Sequence, residues 1–408
     1  MKKLVCPRFA MPASLIACSL LSNGRPALIA ATAGTVALVP VLAKAYTTWT
    51  SYQIGHANSA PEHSVVRVGS DDKPRVLIGG TSLVYRKLTG TLGAYYPPYG
   101  SGPWSETNIA STAQGIDFVL DAQDNPHISY ARTTTTQIEV VHAYLSGSTW
   151  NYEVVTSFAL PTTPKGGRGC TTKIRIDGSG NVHVGIYENS SDQDVSNNLY
   201  STDHIYHAVK SSSGWSISTV STDSWSSVSG GTFLTAGDMD LDSQGNAHFA
   251  YFWTNDSGTS TSDYIKYNNG SSVTTLNYAP GHSATLRMRV DANGVAHLVF
   301  TSGASWDVYY LTVSGGSVTS TRTVGHAYNA TLSLTLDAQN KAHIVCDEYS
   351  TNSWVLTYQR MENGLWVSDT VTSLSGNGSQ NSAVALDSQS KPYVLYDATG
   401  GSTLIAKP

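Results

Sequence analysis

The sequence predicts an all-β protein: a seven-bladed β-propeller of four-stranded antiparallel blades, with the ring closed by the N-terminal strand joining the last blade. Three observations predict this fold. One short segment recurs seven times along the 408 residues. Each copy alternates apolar and polar residues between Gly, Asn, Asp and Ser, which is typical of short strands and turns. The two ends of the repeat region complement each other, since one begins with an unpaired strand and the other lacks one.

The composition agrees with a compact β protein. Charged residues make up only 13% of the chain, hydrophobic residues 40% and aromatic residues 10%. A coiled coil is excluded because it is built from Glu, Lys, Arg, Ala and Leu. Intrinsic disorder is disfavoured because the hydrophobic content is high enough to form a core.

Residues 1–45 are predicted to be an export signal that is cleaved before Tyr46. They contain no acidic residue, begin with Met1-Lys2-Lys3, carry an apolar run over 26–42 and end in AKA at 43–45. A basic start, an apolar run and small residues before the cleavage point are typical of such signals. We therefore expect a secreted protein with one propeller domain over 46–408.

Two alternatives for this segment remain open. The stretch LIAC at 15–18 is similar to a bacterial lipoprotein cleavage box, so a surface lipoprotein or a periplasmic location is the second interpretation. A retained membrane anchor is the third, and Pro40 together with the modest length of the apolar run argues against it.

The charge balance limits the expected partners. The formal net charge is −5, and cleavage would remove five basic residues but no acidic one. An acidic surface opposes nucleic acid and anionic lipid, which bind clustered cations. We predict a monomer with no nucleic-acid partner and, after cleavage, no membrane partner. Pairing of Cys170 with Cys346 is not favoured, because a chain of this size does not need a disulfide.

The repeats define the blades. Two of the copies are IDFVLDAQDNPHISY at 116–130 and KIRIDGSGNVHVGIY at 173–187. Aligned on one Asp, the seven markers lie 46 to 65 residues apart, which is the length of a propeller blade: Gly69, Asp121, Asp177, Asp242, Asp291, Asp337 and Asp387. The first copy is degenerate, with Gly69 in place of the Asp and Arg75 in place of the His.

Each unit is expected to form four strands. The first ends at the marker, the second begins at the His, and the fourth often opens with a tryptophan such as Trp150 or Trp366. The last unit ends after its third strand at Pro408, and residues 47–54 form an orphan strand that is predicted to complete it. Closing the ring in this way removes a free sheet edge.

These repeats resemble those of secreted bacterial seven-bladed propellers with D-x-x-G-N-x-H-x-x-Y units, in the sialidase-like (BNR-like) superfamily, which includes propeller polysaccharide lyases. The resemblance covers 46–408 and implies the fold. That architecture carries lectins, lyases, hydrolases and scaffolds, so it does not select an activity. The S-x-D-x-G-x-T-W box of sialidases is absent from the sequence, and sialidase activity is not implied.

The recurring Asp and His, six residues apart in five units, are interpreted as structural. Five copies, one per blade, cannot converge on one substrate. We expect each Asp to cap its own turn through backbone N–H groups, and each His to bond a neighbouring loop.

The first strands of three successive units carry charges at matching positions. Alternate residues share a strand face, so cations of units three and five should flank acids of unit four. The sequence predicts ion pairs between blades near the channel that serve register more than stability: Lys173, Arg175, Asp238, Asp240, Arg287 and Arg289. These flanking cations would satisfy the acids, so no metal or cofactor is predicted, and a bound Ca²⁺ is the weaker alternative.

Functional residues are expected on the face opposite the repeat turns, in the loops between blades and between second and third strands. Residues there that break the repeat include aromatic rings beside carboxylates, a combination that suits sugar recognition. The candidate ligand-binding residues are His56, Arg132, Glu188, Trp253, Trp306, Asp347, Glu348 and Asp397.

Carbohydrate binding is the first functional prediction, and an enzyme is the alternative. By resemblance to propeller lyases that cut uronate-containing polysaccharides, His63, His282 or His326 would abstract the C5 proton and Tyr187 or Tyr349 would assist the leaving oxygen. Arg168 would neutralise the uronate carboxylate. A glycosidase would instead use two carboxylates, for which Glu188 and Glu348 are candidates. A non-catalytic adhesion or assembly scaffold is the third prediction.

Overall fold

The computed structural model describes residues 17–22, 25–32, 35–39, 46, 48–56, 64–80, 82–93, 102–161, 167–193, 199–227, 237–256, 261–276, 285–302, 307–326, 331–350, 353–374, 381–398 and 402–408. All regular secondary structure in these ranges is β-strand. Within them, no helix has the length and apolar character needed to cross a membrane.

The chain divides into two units, Met1–Ala45 and Tyr46–Pro408. The first contains a three-stranded antiparallel sheet of β1 (Ala17–Ser22), β2 (Arg25–Thr32) and β3 (Thr35–Val39), in that order. It coincides with the predicted export signal, whose cleavage stays a prediction.

The second unit consists of seven four-stranded antiparallel sheets, which confirms the predicted propeller. From the channel outward, blade 1 contains β5 (Val65–Val68), β6 (Pro74–Ile78), β7 (Leu83–Leu88) and β8 (Trp104–Ala110). Blade 2 contains β9 (Gln114–Leu120), β10 (Pro126–Thr133), β11 (Gln137–Ser146) and β12 (Thr149–Ala159). Blade 3 contains β13 (Gly167–Ile176), β14 (Val182–Gln193), β15 (Leu199–Ser211) and β16 (Gly214–Ser227).

The remaining blades follow the same order. Blade 4 contains β17 (Gly237–Leu241), β18 (Ala247–Asp256), β19 (Thr261–Asn268) and β20 (Val273–Leu276). Blade 5 contains β21 (Leu286–Val290), β22 (Ala296–Thr301), β23 (Asp307–Ser314) and β24 (Ser317–His326). Blade 6 contains β25 (Leu332–Leu336), β26 (Ala342–Ser350), β27 (Ser353–Glu362) and β28 (Leu365–Leu374). Blade 7 contains β29 (Ser382–Leu386), β30 (Pro392–Ala398), β31 (Ser402–Lys407) and β4 (Thr50–His56).

The two chain ends close the ring, as predicted. Strand β4 pairs antiparallel with β31, with Gln53 opposite Leu404 and Tyr52 opposite Ile405. The innermost strands of successive blades are in contact, including β29 of blade 7 with β5 of blade 1. Trp49 and Leu404 pack against the same hydrophobic cluster between blades 6 and 7. Closure therefore leaves β31 paired on both sides.

The core consists of seven clusters, one between each pair of adjacent blades. Between blades 5 and 6, for example, Val308, Leu334 and Ile344 are fully buried. Burial of one such side chain is worth roughly 1.5–3 kcal/mol, so contact between blades stabilises the ring. The two cysteines of this unit, Cys170 in blade 3 and Cys346 in blade 6, are buried and free.

The repeat turn needs a left-handed residue three positions after each marker. All seven blades place a positive φ there: Asp72, Asp124, Gly180, Gly245, Gly294, Asn340 and Ser390. Glycine has no steric penalty in this region and Asn or Asp tolerates it, which explains the Gly and Asn that recur in the motif.

Blade 1 keeps the turn although it lacks the Asp and the His. The Arg75 side chain is 1% exposed, and its guanidinium donates to Asp71 Oδ1 at 2.8 Å and to the Lys73 carbonyl at 2.7 Å. A buried arginine at the position of the repeat histidine therefore satisfies this turn from within.

Candidate functional site

The recurring Asp residues are turn caps, as predicted. Asp121 Oδ1 accepts hydrogen bonds from the backbone N–H groups of Gln123 at 2.9 Å and Asn125 at 2.7 Å. The markers Asp177 and Asp242 accept the equivalent pair of bonds in their own turns. These carboxylates hold the backbone of the turn.

The recurring histidines bond within their own blades, and the expectation of a neighbouring loop as partner is wrong. His127 Nε2 lies 3.8 Å from Asp121, and its Nδ1 lies 3.0 Å from Nε2 of His142 on the third strand. In blade 4 the Nδ1 of His248 instead lies 2.6 Å from the Tyr267 hydroxyl. Burial lowers the pKa of both His127 and His248, which favours the neutral imidazole.

Charges on the innermost strands join blades 3, 4 and 5, as the sequence predicts for Arg175, Asp238, Asp240 and Arg289. The predicted ion pairs of Lys173 and Arg287 are wrong for the described residues, because the oxygens of Asp238 and Asp240 bond Arg175, Arg289 and backbone N–H groups instead. Arg175 Nε lies 2.7 Å from Asp240 Oδ1, and its Nη2 lies 3.6 Å from Asp238 Oδ1. On the other side, Arg289 Nη1 lies 3.1 Å from Asp238 Oδ2. Asp238 Oδ2 also accepts the backbone N–H of Met288 at 3.0 Å, so the acid fixes the register of the next blade.

The ion-pair network extends further than the sequence indicated. Asp117 of blade 2 lies 2.7 Å from Arg175 and 2.8 Å from Arg67 of blade 1. Burial would raise the pKa of Asp117, but these two guanidinium groups outweigh it and hold the pKa well below its usual range. Five of the seven blades thus contribute a charge to one continuous network.

On the opposite face, Arg168 and Glu188 form an ion pair at the end of blade 3. Arg168 Nε lies 2.7 Å from Glu188 Oε1, and the guanidinium carbon lies 5.8 Å from the centre of the Phe158 ring. Glu188 is 1% exposed. Burial raises its pKa, and Arg168 opposes that shift. A substrate carboxylate at Arg168 would have to share the guanidinium with Glu188.

Tyr187 lies inside the contact between blades 3 and 4. Its side chain is buried, and its ring lies so close to Gly237 that a Cβ on that residue would come within 2.1 Å of it. Burial raises the pKa of the Tyr187 hydroxyl well above its usual value. In this position the hydroxyl is closed to a ligand on the surface.

His326 and Glu348 lie in the contact between blades 5 and 6. The His326 side chain is 57% exposed, and its Nδ1 lies 3.2 Å from Asp307 Oδ1 on the paired strand. Glu348 accepts from Gln359 Nε2 at 2.8 Å and from Thr357 Oγ1 at 3.1 Å. Burial raises the pKa of Glu348, and the nearby His326 opposes that shift. An imidazole and a carboxyl group whose pKa is raised by burial thus lie at one place.

Tyr349 follows Glu348 at the end of the same strand and points to solvent. Its side chain is 44% exposed, and its ring centre lies 5.1 Å from that of Trp354, which is opposite it in the hairpin. Asp347 on the other side of Glu348 is 2% exposed. Glu348 and His326 therefore lie together at one end of the contact between blades 5 and 6, whereas Tyr349, the next residue of the strand, points to the opposite face of blade 6.

The other candidates are distributed around the ring. Arg132 lies 2.7 Å from Glu139 in blade 2, and Lys266 Nζ lies 4.1 Å from the centre of the Trp253 ring in blade 4. Asp397 of blade 7 is 3% exposed, and burial raises its pKa to about 6. These three blades are not the ones that hold His326 and Glu348.

Some candidates cannot be placed. His63, His282 and Trp306 lie outside the described residues, as does the side chain of His56, the last residue of β4. Among the residues that the structure describes, no group of three or more His, Cys, Asp and Glu side chains could hold a metal ion.

Sequence reasoning missed Asp307, the partner of His326. A signal was present, because the Gly315-Gly316 turn sets the register of the hairpin that contains both residues. Ser314 pairs with Ser317 next to the turn, and the same strand pair ends with Asp307 opposite His326. Counting back from the turn places Asp307 opposite Val324, and two bulges shift its partner to His326, so the turn indicates the neighbourhood of the pair but not the pair itself.

These observations define the chain as a seven-bladed β-propeller. No family model matches it, and no curated protein matches it. Among solved structures it is similar to the polysaccharide lyase Uly1, with a TM-score of 0.45 and 10% identity over 87% of this chain and 91% of that chain. It is also similar to the WD40 domain of SCAP from fission yeast, with a TM-score of 0.44 and 8% identity over 88% and 87%. A third similar structure is a PL25 ulvan lyase bound to -[GlcA(1-4)Rha3S]-, with a TM-score of 0.35 and 10% identity over 87% of this chain and 93% of that chain. Likeness at this level does not bear on the activity of this chain.

Proposed function

We propose that this protein is a secreted carbohydrate-binding propeller whose ligand lies on the face formed by the loops between blades and between second and third strands. The observation that carries the proposal is the position of Tyr349. Of the described large hydrophobic side chains that are exposed, Tyr349 alone lies on a second strand, and the others lie on outermost strands: Tyr152, Val154, Ile217, Val273, Val318 and Leu365.

An exposed ring held from behind by a second ring is a suitable platform for a sugar. Trp354 contacts Tyr349 and limits its rotation, so little conformational freedom is lost when a pyranose stacks on it. Toward the other face of the same strand, Glu348 lies near His326, which pairs with Asp307, and these groups can exchange hydrogen bonds with the hydroxyl groups of a saccharide that extends past Tyr349. A flat apolar surface beside a few polar groups is the usual composition of a sugar site.

The test is binding to a panel of glycans and polysaccharides, followed by Tyr349→Ala. The matched control is Tyr152→Ala, since Tyr152 is 48% exposed on the outermost strand of blade 2, away from the proposed face. We expect Tyr349→Ala to weaken binding about tenfold or more, as loss of a stacking ring does. Equal affinities of the two variants, or no binding to any member of the panel, would overturn the proposal.

A polysaccharide lyase is the second candidate, and the Asp307–His326 pair favours it. Asp307 can orient the imidazole so that Nε2 accepts the C5 proton of a uronate. The electron pair of the broken C–H bond then forms the C4–C5 double bond, and the C4–O bond breaks. The leaving oxygen takes a proton, for which Glu348 with its raised pKa is a candidate donor.

The lyase reaction is followed by the ultraviolet absorbance of its unsaturated product. His326→Ala should abolish the absorbance change, whereas His204→Ala, which removes an imidazole from blade 3, should leave it intact. A glycosidase is less well supported, because blades 4 and 5 separate Glu188 from Glu348 and its two carboxylates must flank one bond.

A further inference from the structure

We propose that the axial channel binds a small oxyanion, such as sulfate or phosphate, between Lys173 of blade 3 and Arg287 of blade 5. This site is distinct from the loops to which the carbohydrate is assigned, and the proposal does not depend on that assignment.

The first observation is a cavity on the propeller axis. It encloses about 440 Å³, a volume that includes space open to solvent, and all seven blades contribute to its wall, including Ser64, Lys173, Asp238, Arg287 and Ser333. The part that the centre of a water molecule can reach is about 40 Å³, and since one water needs roughly 10–15 Å³ on that measure, the cavity has room for about three waters or one small oxyanion.

The second observation is that the charges around this cavity do not balance. The described inner strands contribute five cations, Arg67, Lys173, Arg175, Arg287 and Arg289, but only three carboxylates, Asp117, Asp238 and Asp240. Each carboxylate lies within 3.1 Å of a guanidinium nitrogen of Arg67, Arg175 or Arg289, so these three arginines account for all three negative charges. Two positive charges are therefore left over.

The surplus belongs to Lys173 and Arg287. In the part of the chain that the structure describes, neither has a carboxylate oxygen within ion-pair distance. Arg287 Nη1 donates to the carbonyl of Leu286 at 2.8 Å, a bond that leaves its charge uncompensated. Asp238 lies between the two blades, but its oxygens are occupied by Arg289, Arg175 and backbone N–H groups.

A third observation is an unused donor in the same wall. Ser64 is 2% exposed, and its Oγ has no hydrogen-bond partner among the described residues. A buried hydroxyl without a partner is costly, whereas an anion in the cavity would accept its hydrogen bond.

The lowered pKa of Lys173 agrees with its lack of a carboxylate partner among the described residues. Burial lowers the pKa of Lys173 to about 8, and the positive charges of Arg287 and Arg175 add to that shift, while Asp238 and Asp117 oppose it. Burial also lowers the pKa of Arg287. A bound oxyanion would favour the charged form of both side chains.

The experiment compares thermal unfolding and calorimetric titration in sodium sulfate and in sodium chloride of equal ionic strength, with phosphate as a second probe. We expect a saturable stabilisation by sulfate in the wild type, because a ligand of the native state raises its stability with ligand concentration. Sulfate also stabilises proteins nonspecifically, and that part neither saturates nor depends on the channel.

The variant Lys173→Met/Arg287→Met should lose the saturable part and weaken sulfate binding by about tenfold or more. It removes two unpaired buried charges, so without sulfate it should be as stable as the wild type or more stable. Arg322→Met, which removes an exposed cation from β24, is the control and should keep the wild-type response. Identical sulfate responses of the wild type and the double variant would overturn the proposal.

Lys173→Arg separates binding from a merely structural role. Wild-type affinity for sulfate should fall as the pH rises through about 8, since Lys173 then loses its proton. Arginine keeps its charge, so Lys173→Arg should bind equally at both ends of this range. If the wild-type affinity does not change with pH, Lys173 is not a ligand.

A last comparison identifies the source of the anion. A uronate or sulfated oligosaccharide that competes with sulfate, while its neutral counterpart does not, assigns the site to an acidic group of a saccharide. Sulfate binding without such competition assigns it to a free inorganic anion. Loss of glycan binding in Tyr349→Ala with sulfate binding retained would show that the two proposals stand or fall separately.

Discussion

Arg175→Met removes the side chain that joins blades 2, 3 and 4. The guanidinium lies 2.7 Å from Asp117, 2.7 Å from Asp240 and 3.6 Å from Asp238, and the side chain is only 11% exposed. After the substitution Asp117 keeps Arg67. Asp240, whose side chain is 14% exposed, loses its arginine and keeps the Val290 backbone N–H bond at 2.8 Å.

Removal of one partner from a buried ion pair costs about 3–5 kcal/mol, because the remaining charge is left uncompensated. Two of the three carboxylates retain an arginine, so we expect a loss near the lower limit, about 3 kcal/mol. Urea denaturation followed by tryptophan fluorescence measures it as a lower midpoint with an unchanged slope. Arg322→Met is the exposed control and should change the free energy of unfolding by less than about 0.5 kcal/mol.

Asp240→Asn added to Arg175→Met distinguishes charge from packing. If the loss arises from the uncompensated Asp240 carboxylate, the double variant should be more stable than the sum of the two single effects by about 1 kcal/mol or more. Additive effects, or a loss below about 1 kcal/mol for Arg175→Met alone, would refute the view that the network holds the blades in register.

Three further predictions concern pH and the backbone. Burial lowers the pKa of His142 from 6.5 to about 4. Below pH 6.5 the unfolded chain therefore binds a proton on this side chain before the folded protein does, so about 3 kcal/mol of the folding stability that is present above pH 6.5 is lost as the pH falls toward 4. In His142→Gln, urea midpoints between pH 4 and 7 should vary less than in the wild type, and an unchanged pH profile would contradict the burial argument. Gly115→Ala should cost more than about 3 kcal/mol in thermal unfolding, because φ is +58° and a Cβ would lie 2.3 Å from a backbone atom of blade 3. Gly147→Ala, with φ of +62° and nothing within 4 Å, should cost only about 1 kcal/mol, and equal losses would eliminate the contact between blades as the cause. Ser390→Gly should stabilise by about 0.5–1 kcal/mol, because serine is strained at a φ of 59°. Asn340→Gly should stabilise the protein less, because asparagine tolerates a positive φ. A larger stabilisation at Asn340 than at Ser390 would be inconsistent with this reasoning.

The framework of this protein could be predicted from the sequence because it is repeated. Each copy of the motif reports the same strand–turn–strand geometry, so seven weak signals reinforce one another. The closing strand could also be predicted, since an unpaired β4 and a three-stranded last unit can only satisfy each other. The positions of Arg175 and Asp240 followed from alternation along aligned strands.

The candidate site could not be predicted to the same extent, because it depends on residues that the repeat does not fix. Tyr187 and Tyr349 both lie on second strands, yet one is 4% exposed and the other 44%. Tyr187 is covered because Gly237 of the next blade leaves room for its ring. The repeat motif does not show which residue of the adjacent blade lies against such a tyrosine, or whether that residue is a glycine. The exposure of a side chain near the end of a second strand therefore cannot be predicted from its own blade alone.

Repeated blades present a folding problem that the inner-strand charges address. Similar units with similar apolar faces can pair in the wrong order, a characteristic error of repeat proteins. At one position of the first strand, successive blades carry Asp117, Lys173, Asp238, Arg287 and Ser333. Acids of blades 2 and 4 accept backbone N–H groups of the blade that follows, as Ser333 of blade 6 does from blade 7. If blade 4 were left out, Arg175 would face Arg289, and two like charges would meet in a buried layer. The variation that makes these strands unlike one another therefore specifies the neighbour of each blade, although the apolar contacts supply most of the stability.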